Sequence, residues 1–299
     1  MGGLYNILGQ ILLRRRFGLA SLLAGPFLAV LWQIYKRTVG RPITIRTWMG
    51  PRFVLRPDSV TSSRFVYEGQ PDRDYIDVLA YFSGGDASFV DVGANAGMYS
   101  VLLSELFPRA WLFEPNPVAV KLARENLVVN GVEPTFMIVE MAVSDCPGRA
   151  RFPILSTADP AARLEDGPPG EDDGSTREVE VTTLDLALPQ RGEYVLKVDA
   201  EGYDCEVLQG ATGHLARGGI RAGLFECHTD ETLACVLGVL RGFGYRVFDG
   251  PREISAPGAE RGRDLFLIRG DLVDAYLVHL HALMVRGGTG WRPMDGRAA

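Results

Sequence analysis

Cysteine and histidine are scarce, with four of each in 299 residues. Cys146, Cys205, Cys227 and Cys235 form no C-x-x-C pair, and His214, His228, His279 and His281 keep no zinc-like spacing with them, so a structural zinc site is excluded. Two of the cysteines lie within periodic apolar segments. The set reads as buried free thiols, which predicts a reducing, cytoplasmic compartment. Wholesale disorder is excluded as well, because 46% of residues are hydrophobic, 23% are charged and the net charge is only −6.

Acid is nearly absent from the first 60 residues. They carry Arg14, Arg15, Arg16, Lys36, Arg37, Arg41, Arg46, Arg52 and Arg56 against Asp58 alone, a net +8 that leaves −14 on the remainder. A basic arm on an acidic body suits either an anionic partner or plain solvation. Within the arm, FGLASLLAGPFLAVLWQIY (17–35) holds no charge over 19 positions, close to the ~20 residues of a bilayer span. It is interrupted by Gly18, Ser21, Gly25, Pro26 and Gln33, and cations flank both ends. Three readings stay open: a helix docked on the domain, a helix lying on a membrane surface, and a span.

Beyond the arm, TIRTWMGPRFVLRP alternates like a hairpin around Gly50-Pro51. The period then predicts a helix over 72–82, a buried strand SFVDVG (88–93), a helix over 98–106, a strand AWLFEP (110–115), a helix over 117–131 and a strand from 135. Such alternation builds a parallel sheet covered on both faces. After the Gly/Pro/acid-rich stretch 157–177, read as a flexible loop, the alternation resumes with EVEVTTL, YVLKVDA, a helix over 203–217, IRAGLFECH, a helix over 230–242, YRVF, DLFLIR and a terminal helix near 271–285. The tail 286–299 has no periodicity and is read as mobile.

The strand ending Asp91-Val92-Gly93 runs through Asn95 and Gly97 into a helix. Gly93 and Gly97 tolerate positive φ, and Asn95 is the residue type that most often joins them there. Helix N–H groups then face the crevice where open α/β sheets bind ligands. Glu114, 23 residues beyond Asp91, occupies the position of an acid that hydrogen-bonds a ribose diol. The second glycine of a dinucleotide fingerprint is missing. Asp91 would repel a pyrophosphate but could hold an α-ammonium, directly or through water, and together these features point to S-adenosylmethionine.

Several segments, FVDVGANAGMYSVLLSEL, LFEPNP, LARENLVVNG, AVSD, VTTLDL and VLKVDAEGYDCEVLQGA, together resemble the FkbM-type S-adenosylmethionine-dependent methyltransferases over about residues 66–250. The resemblance implies a class I, Rossmann-like methyltransferase: a doubly wound, seven-stranded, mostly parallel sheet with its last strand antiparallel. Residues 1–65 form an N-terminal helical and hairpin extension to a domain over 66–285. It implies a cofactor loop of Asp91, Gly93, Ala94, Asn95 and Gly97, with Glu114 on the ribose and Asn116 beside it. Glu140 to Val143, including Ala142 and Val143, would flank the adenine. Methyl transfer to hydroxyl oxygens of secondary metabolites, sugars or glycans is the activity it suggests.

An alcohol acceptor needs a general base. Strand parity puts Lys197 and Asp199 on one face, and Glu226 and His228 on another shared face, at the carboxyl ends of neighbouring strands. Placement favours Asp199 as base, whereas the ordinary imidazole pKa of ~6.5 favours His228. Lys197 and Asp199 also read as a buried ion pair, and Glu201 as either a site residue or a helix-start acid. Tyr67 and Glu68, just before the first domain helix, and Glu226 are secondary substrate-binding candidates. A divalent ion on Asp199, Glu201 and Glu226 is conceivable, but no spacing demands it, so no metal is expected. The expected partner is a small-molecule, sugar or lipid-linked substrate, with residues 1–40 a candidate membrane contact. Nucleic acid is disfavoured by the acidic body and the lack of a Pro-Pro-aromatic motif. Competing readings are a nicotinamide-dependent oxidoreductase and a membrane-tethered, cofactor-binding module without catalysis.

Overall fold

The computed structural model describes residues 19–153, 176–258, 263–286 and 291. The loop expected over 157–177 and the tail expected over 286–299 lie largely outside the described residues.

The chain begins with α1 (Leu19–Thr38) and a hairpin of β1 (Ile43–Arg46) and β2 (Arg52–Leu55). Next come α2 (Val60–Tyr67), α3 (Arg73–Tyr81), β3 (Ser88–Val92), α4 (Met98–Leu102), β4 (Ala110–Phe113), α5 (Pro117–Val128) and β5 (Phe136–Val139). A separate three-stranded sheet uses β6 (Ala142–Val143), β7 (Gly148–Pro153) and β8 (Thr176–Thr182), in the order β6-β8-β7. The second half runs α6 (Leu184–Ala187), β9 (Tyr194–Val198), α7 (Asp204–Gln209), α8 (Thr212–Ala216), β10 (Ile220–Cys227), α9 (Asp230–Leu240), β11 (Tyr245–Asp249), β12 (Arg252–Ile254), β13 (Arg263–Arg269) and α10 (Val273–Val285).

The central sheet has the order β12-β11-β13-β10-β9-β3-β4-β5. Strands β10, β9, β3, β4 and β5 run parallel, while β13 is antiparallel to both β10 and β11. This is the doubly wound class I methyltransferase arrangement. The expected seven strands become eight because the turn at Gly250 lets Arg252–Ile254 fold back on β11 as an extra edge. Strand parity sorts the core into two layers. Phe89, Val195, Leu224 and Phe266 pack on one side of the sheet, and Val90, Leu196, Phe225 and Leu267 on the other.

Three expected elements differ. The helix expected over 203–217 is two short helices, because Gly210 packs where a Cβ would stand 2.1 Å from the Ser144 carbonyl oxygen and the chain bends there. Helix α4 stops at Leu102, well short of 106. The strand from 135 divides at Glu140-Met141, and its second part leaves the main sheet for β8.

The arm is fastened to the body. Trp32 donates its indole N–H to Ser63 Oγ at 3.1 Å, and Asn126 accepts from Val54 N at 2.8 Å while donating to Ala96 O. Arg56 meets Glu125 at 3.0 Å. Phe53 and Leu55 of the hairpin join the same apolar layer as Phe89.

The reading of four free thiols is corrected. Cys205 on α7 and Cys235 on α9 form a disulfide with a Cα–Cα distance of 6.0 Å, leaving Cys146 exposed and Cys227 buried as thiols. The two helices stack face to face, which brings their sulfurs together across a sequence separation of 30. The argument for a reducing compartment loses half its basis. Closing a loop of this length stabilises the fold by about 3–4 kcal/mol in the chain-entropy account. Cys205→Ala/Cys235→Ala is therefore expected to lower the guanidinium midpoint, and dithiothreitol to do the same to wild type but not to the double variant; coincident curves for all samples would show the bond contributes nothing.

Candidate functional site

At the carboxyl ends of β3, β4 and β9 lies a cavity of about 690 Å³ including its open mouth. Its floor is the turn after β3, and the shape of that turn follows from three residues with positive φ: Gly93 (68°), Asn95 (49°) and Gly97 (75°). Gly93 admits no side chain, since a Cβ there would stand 2.0 Å from the carbonyl oxygen of Asp199. The turn and the end of β9 are thus in direct backbone contact.

Glu114 forms one wall. Its Oε2 accepts the Asn95 N–H and its Oε1 the Asn116 N–H, each at 2.8 Å, so the carboxylate is locked between the glycine turn and the start of α5. Asn116 caps α5 by accepting from Val118 N at 2.9 Å, ahead of Pro117 at the first turn. Burial pushes the Glu114 carboxyl up to about 7 against the pull of these backbone donors. The opposite surface is apolar, with Phe113, Ala119, Met141, Ala142, Val143 and Phe152. Of the expected cofactor residues, Gly93, Asn95, Glu114, Asn116, Ala142 and Val143 line the cavity. Ala94 and Gly97 shape the turn from behind, and Glu140 points away to Arg124 at 3.2 Å.

Asp91 does not line the cavity but lies buried beneath the turn. Register pairs it with Lys197 on the neighbouring strand, both on the same face of the sheet. Its Oδ2 accepts from the hydroxyl of Ser100 at 2.7 Å, and Lys197 Nζ lies 3.7 Å from Oδ1. Lys197 is equally internal: it donates to Gly93 O at 2.8 Å and pairs with Asp199 at 3.2 Å. Burial opposes its charge, but Asp199 and Asp91 outweigh that and hold it protonated well above its usual range. It braces the turn from below and does not reach the cavity.

Asp199 and Glu201 do line it. Glu201 is no helix-start acid, because α7 begins only at Asp204 and Glu201 sits in left-handed backbone (φ 51°), a conformation that costs a non-glycine residue about 1–3 kcal/mol and clusters at functional sites. Burial, then repulsion from Asp199 and Glu226, raises its carboxyl to about 7. Glu226 and His228 stand at the end of β10, 3.3 Å apart, outside the cavity lining. Tyr67 and Glu68 are engaged on α2, Tyr67 with Gln33 and Glu68 with Arg64 at 2.7 Å, and neither lines the cavity.

The sequence reading missed Asp264, which the β10–β13 register sets opposite Glu226. Burial and the charges of Asp72, Glu226 and Asp199 raise it to about 7, with Tyr75 bonded to it. Only an antiparallel register two strands away brings it there, and nothing local marks it. Tyr203, Phe152 and Pro115 were also missed as lining residues. Among the described residues no group of three or more His, Cys, Asp or Glu side chains is arranged to hold a metal ion.

Gly93→Ala is expected to destabilise the protein by roughly 2–4 kcal/mol, since both the positive φ and the contact with Asp199 must give way; an unchanged melting temperature would contradict the geometry. Glu114 supplies a second test. A carboxyl whose folded pKa is raised holds its proton in the native state while the unfolded chain has released it, so stability falls as pH rises from about 4.5 to about 7. The stability of Glu114→Gln relative to wild type is therefore expected to improve across that window and level off above it, by thermal melts of the ligand-free protein.

The profile of the Methyltransferase FkbM domain matches residues 91–247, just over half of the chain. No curated protein matches in sequence. Among solved structures, the chain is similar to the FkbM methyltransferase of Methylobacillus flagellatus KT at 14% identity and a TM-score of 0.43, covering 82% of this chain and 59% of that one. It therefore spans less than two thirds of that protein's length. A SAM-dependent O-methyltransferase of Thermotoga maritima gives 13% identity, 79% of each chain and a TM-score of 0.38. A putative tRNA (m1A22) methyltransferase of Streptococcus pneumoniae, in complex with S-adenosyl-L-methionine, gives 12% identity, 66% of this chain, 72% of that one and a TM-score of 0.38. With the glycine turn, the Glu114 wall and the β9 carboxylates all inside the matched segment, the chain belongs to the FkbM methyltransferase domain family, whose cofactor is S-adenosylmethionine.

Proposed function

We propose that the protein is an O-methyltransferase acting on a hydroxyl of a small-molecule, sugar or lipid-linked acceptor, with Glu201 as general base and Asp199 positioning the hydroxyl. The observation that carries this reading is Glu201 itself: a carboxyl raised to about 7, held in left-handed backbone on the cavity wall next to Asp199. A base tuned near the working pH combines the right protonation state with the strongest pull on a proton.

The donor set fits the cofactor. Glu114, anchored by two backbone N–H groups, keeps lone pairs for the hydroxyls of a ribose, and the surface from Phe113 to Phe152 suits a flat purine. Asn116 would hold the same end, with the turn from Gly93 to Asn95 beneath. S-adenosylmethionine supplies an electrophilic methyl group on a sulfonium. Glu201 would take the proton of the acceptor oxygen as the methyl–sulfur bond breaks and the methyl–oxygen bond forms, leaving a neutral thioether, and Asp199, kept beside Lys197, would orient that oxygen in line with the methyl group. His228 and Glu226, at the end of the next strand, extend the acidic wall on which an acceptor would rest. The nicotinamide-dependent alternative falls with the family match.

The test is transfer of labelled methyl to hydroxyl acceptors. Glu201→Gln is expected to lower kcat by about 10²–10⁴-fold with cofactor affinity unchanged, and to abolish the rise of rate with pH through about 7. Asp199→Asn is expected to raise the acceptor KM as well as lower kcat. If Glu201→Gln keeps the wild-type pH profile, the base is another group. If wild type binds cofactor but methylates no hydroxyl acceptor, the reading as a non-catalytic module gains.

A further inference from the structure

Helix α1 presents two opposite faces. One holds Gly25, Ala29 and Trp32, spaced at i, i+4 and i+7, and rests on α2 through Trp32, whose indole bonds Ser63. The other holds Leu23, Phe27, Val30 and Ile34, spaced at i, i+4, i+7 and i+11, which are 68%, 66%, 59% and 52% exposed. Leu31, at 45%, widens the stripe. A soluble helix docked on a domain ordinarily turns its polar side outward. Here the outward side is the more apolar one, and a contiguous exposed apolar surface of this kind marks an interaction site.

The surroundings of that stripe say what covers it. Arg37 closes its last turn, Arg41 and Arg46 are exposed just beyond, and Arg14, Arg15 and Arg16 precede the helix in sequence. No acidic residue occurs before Asp58. An apolar stripe followed by exposed arginines, on an arm with no acid in its sequence before Asp58, matches the interface of an anionic bilayer, where side chains enter the acyl boundary and arginines meet headgroup phosphates. A second copy of the chain fits less well, because Arg37, Arg41 and Arg46 would find no acid on the arm of a two-fold partner, none standing before Asp58 in the sequence. No helix among the described residues is long and apolar enough to cross a membrane.

We infer that the outer face of α1 docks the protein onto an anionic lipid surface. The inference stands apart from the methyl-transfer reading, since it uses no residue of the cavity. It has a geometric corollary. Helix α2, on which α1 rests, also carries Arg64, which holds Asp72 at 2.5 Å, and Asp72 acts electrostatically on Asp264 and Glu226. Helix α2 thus carries both the seat of α1 and an arginine whose partner acts on the acids at the ends of β10 and β13.

The experiment uses the full-length chain with vesicles of phosphatidylcholine alone or mixed with phosphatidylglycerol, read by co-sedimentation. Binding is expected to the mixed vesicles, to weaken with salt, and to fall by about tenfold or more in Phe27→Glu/Leu31→Glu. Both residues are exposed, so circular dichroism and melting temperature should not move. Arg37→Glu/Arg41→Glu should remove the preference for phosphatidylglycerol. Absence of sedimentation with either vesicle overturns the inference. So does a wild-type dimer that becomes monomeric in Phe27→Glu/Leu31→Glu without any vesicle binding, which would identify a second copy as the occupant.

Discussion

The buried ammonium of Lys197 holds the functional end of this molecule together. It sits where β3 and β9 run side by side, donates to the carbonyl of Gly93, and is flanked by Asp91 and Asp199. An unpaired charge at this depth would cost several kcal/mol, so its position is fixed by its partners, and theirs by it. Three features follow: the glycine turn keeps its shape, Asp91 stays tied to the first turn of α4 through Ser100, and Asp199 is presented at the cavity edge. The direct contact of Gly93 with the Asp199 carbonyl completes the joint. The glycine turn and the end of β9 are therefore one rigid piece.

Around that joint the carboxylates divide by environment. Glu114 is shielded and held by backbone donors, which suits binding neutral hydroxyls. Glu201 is half-buried among other acids, which suits accepting a proton. Asp204 is buried, accepts the Glu226 N–H at 3.1 Å and is raised to about 7 by desolvation, which suits tying the loop after β9 to β10. The same carboxyl group thus differs in character according to the dielectric and the donors nearby.

Much of this was legible in the sequence because it is local. Positive φ at Gly93, Asn95 and Gly97 follows from residue type, and the shared face of Lys197 and Asp199, like that of Glu226 and His228, follows from strand parity. What failed is what depends on depth or on distant register. Parity says that Asp91 and Lys197 point the same way but not that they point into the protein beneath the turn. Asp264 reaches the cleft only because β13 runs antiparallel beside β10. Glu201 stayed divided between site residue and helix-start acid because the chain's left-handed step before α7 is invisible to periodicity. The disulfide was unreadable for the same reason, since Cys205 and Cys235 share no local motif and meet only when α7 stacks on α9.

That disulfide also changes the topology of the chain. Residues 205 to 235 become a covalently closed ring, and the ring contains the whole of β10 together with Glu226 and His228. When the protein unfolds with the bond intact, that wall of the cleft stays leashed to the segment just after Asp199 and Glu201. The shortest covalent path from Glu201 to Glu226 then runs through Cys205, across the bond and back from Cys235, about half of their separation along the chain, so the acidic face reassembles over a shorter loop than the sequence suggests.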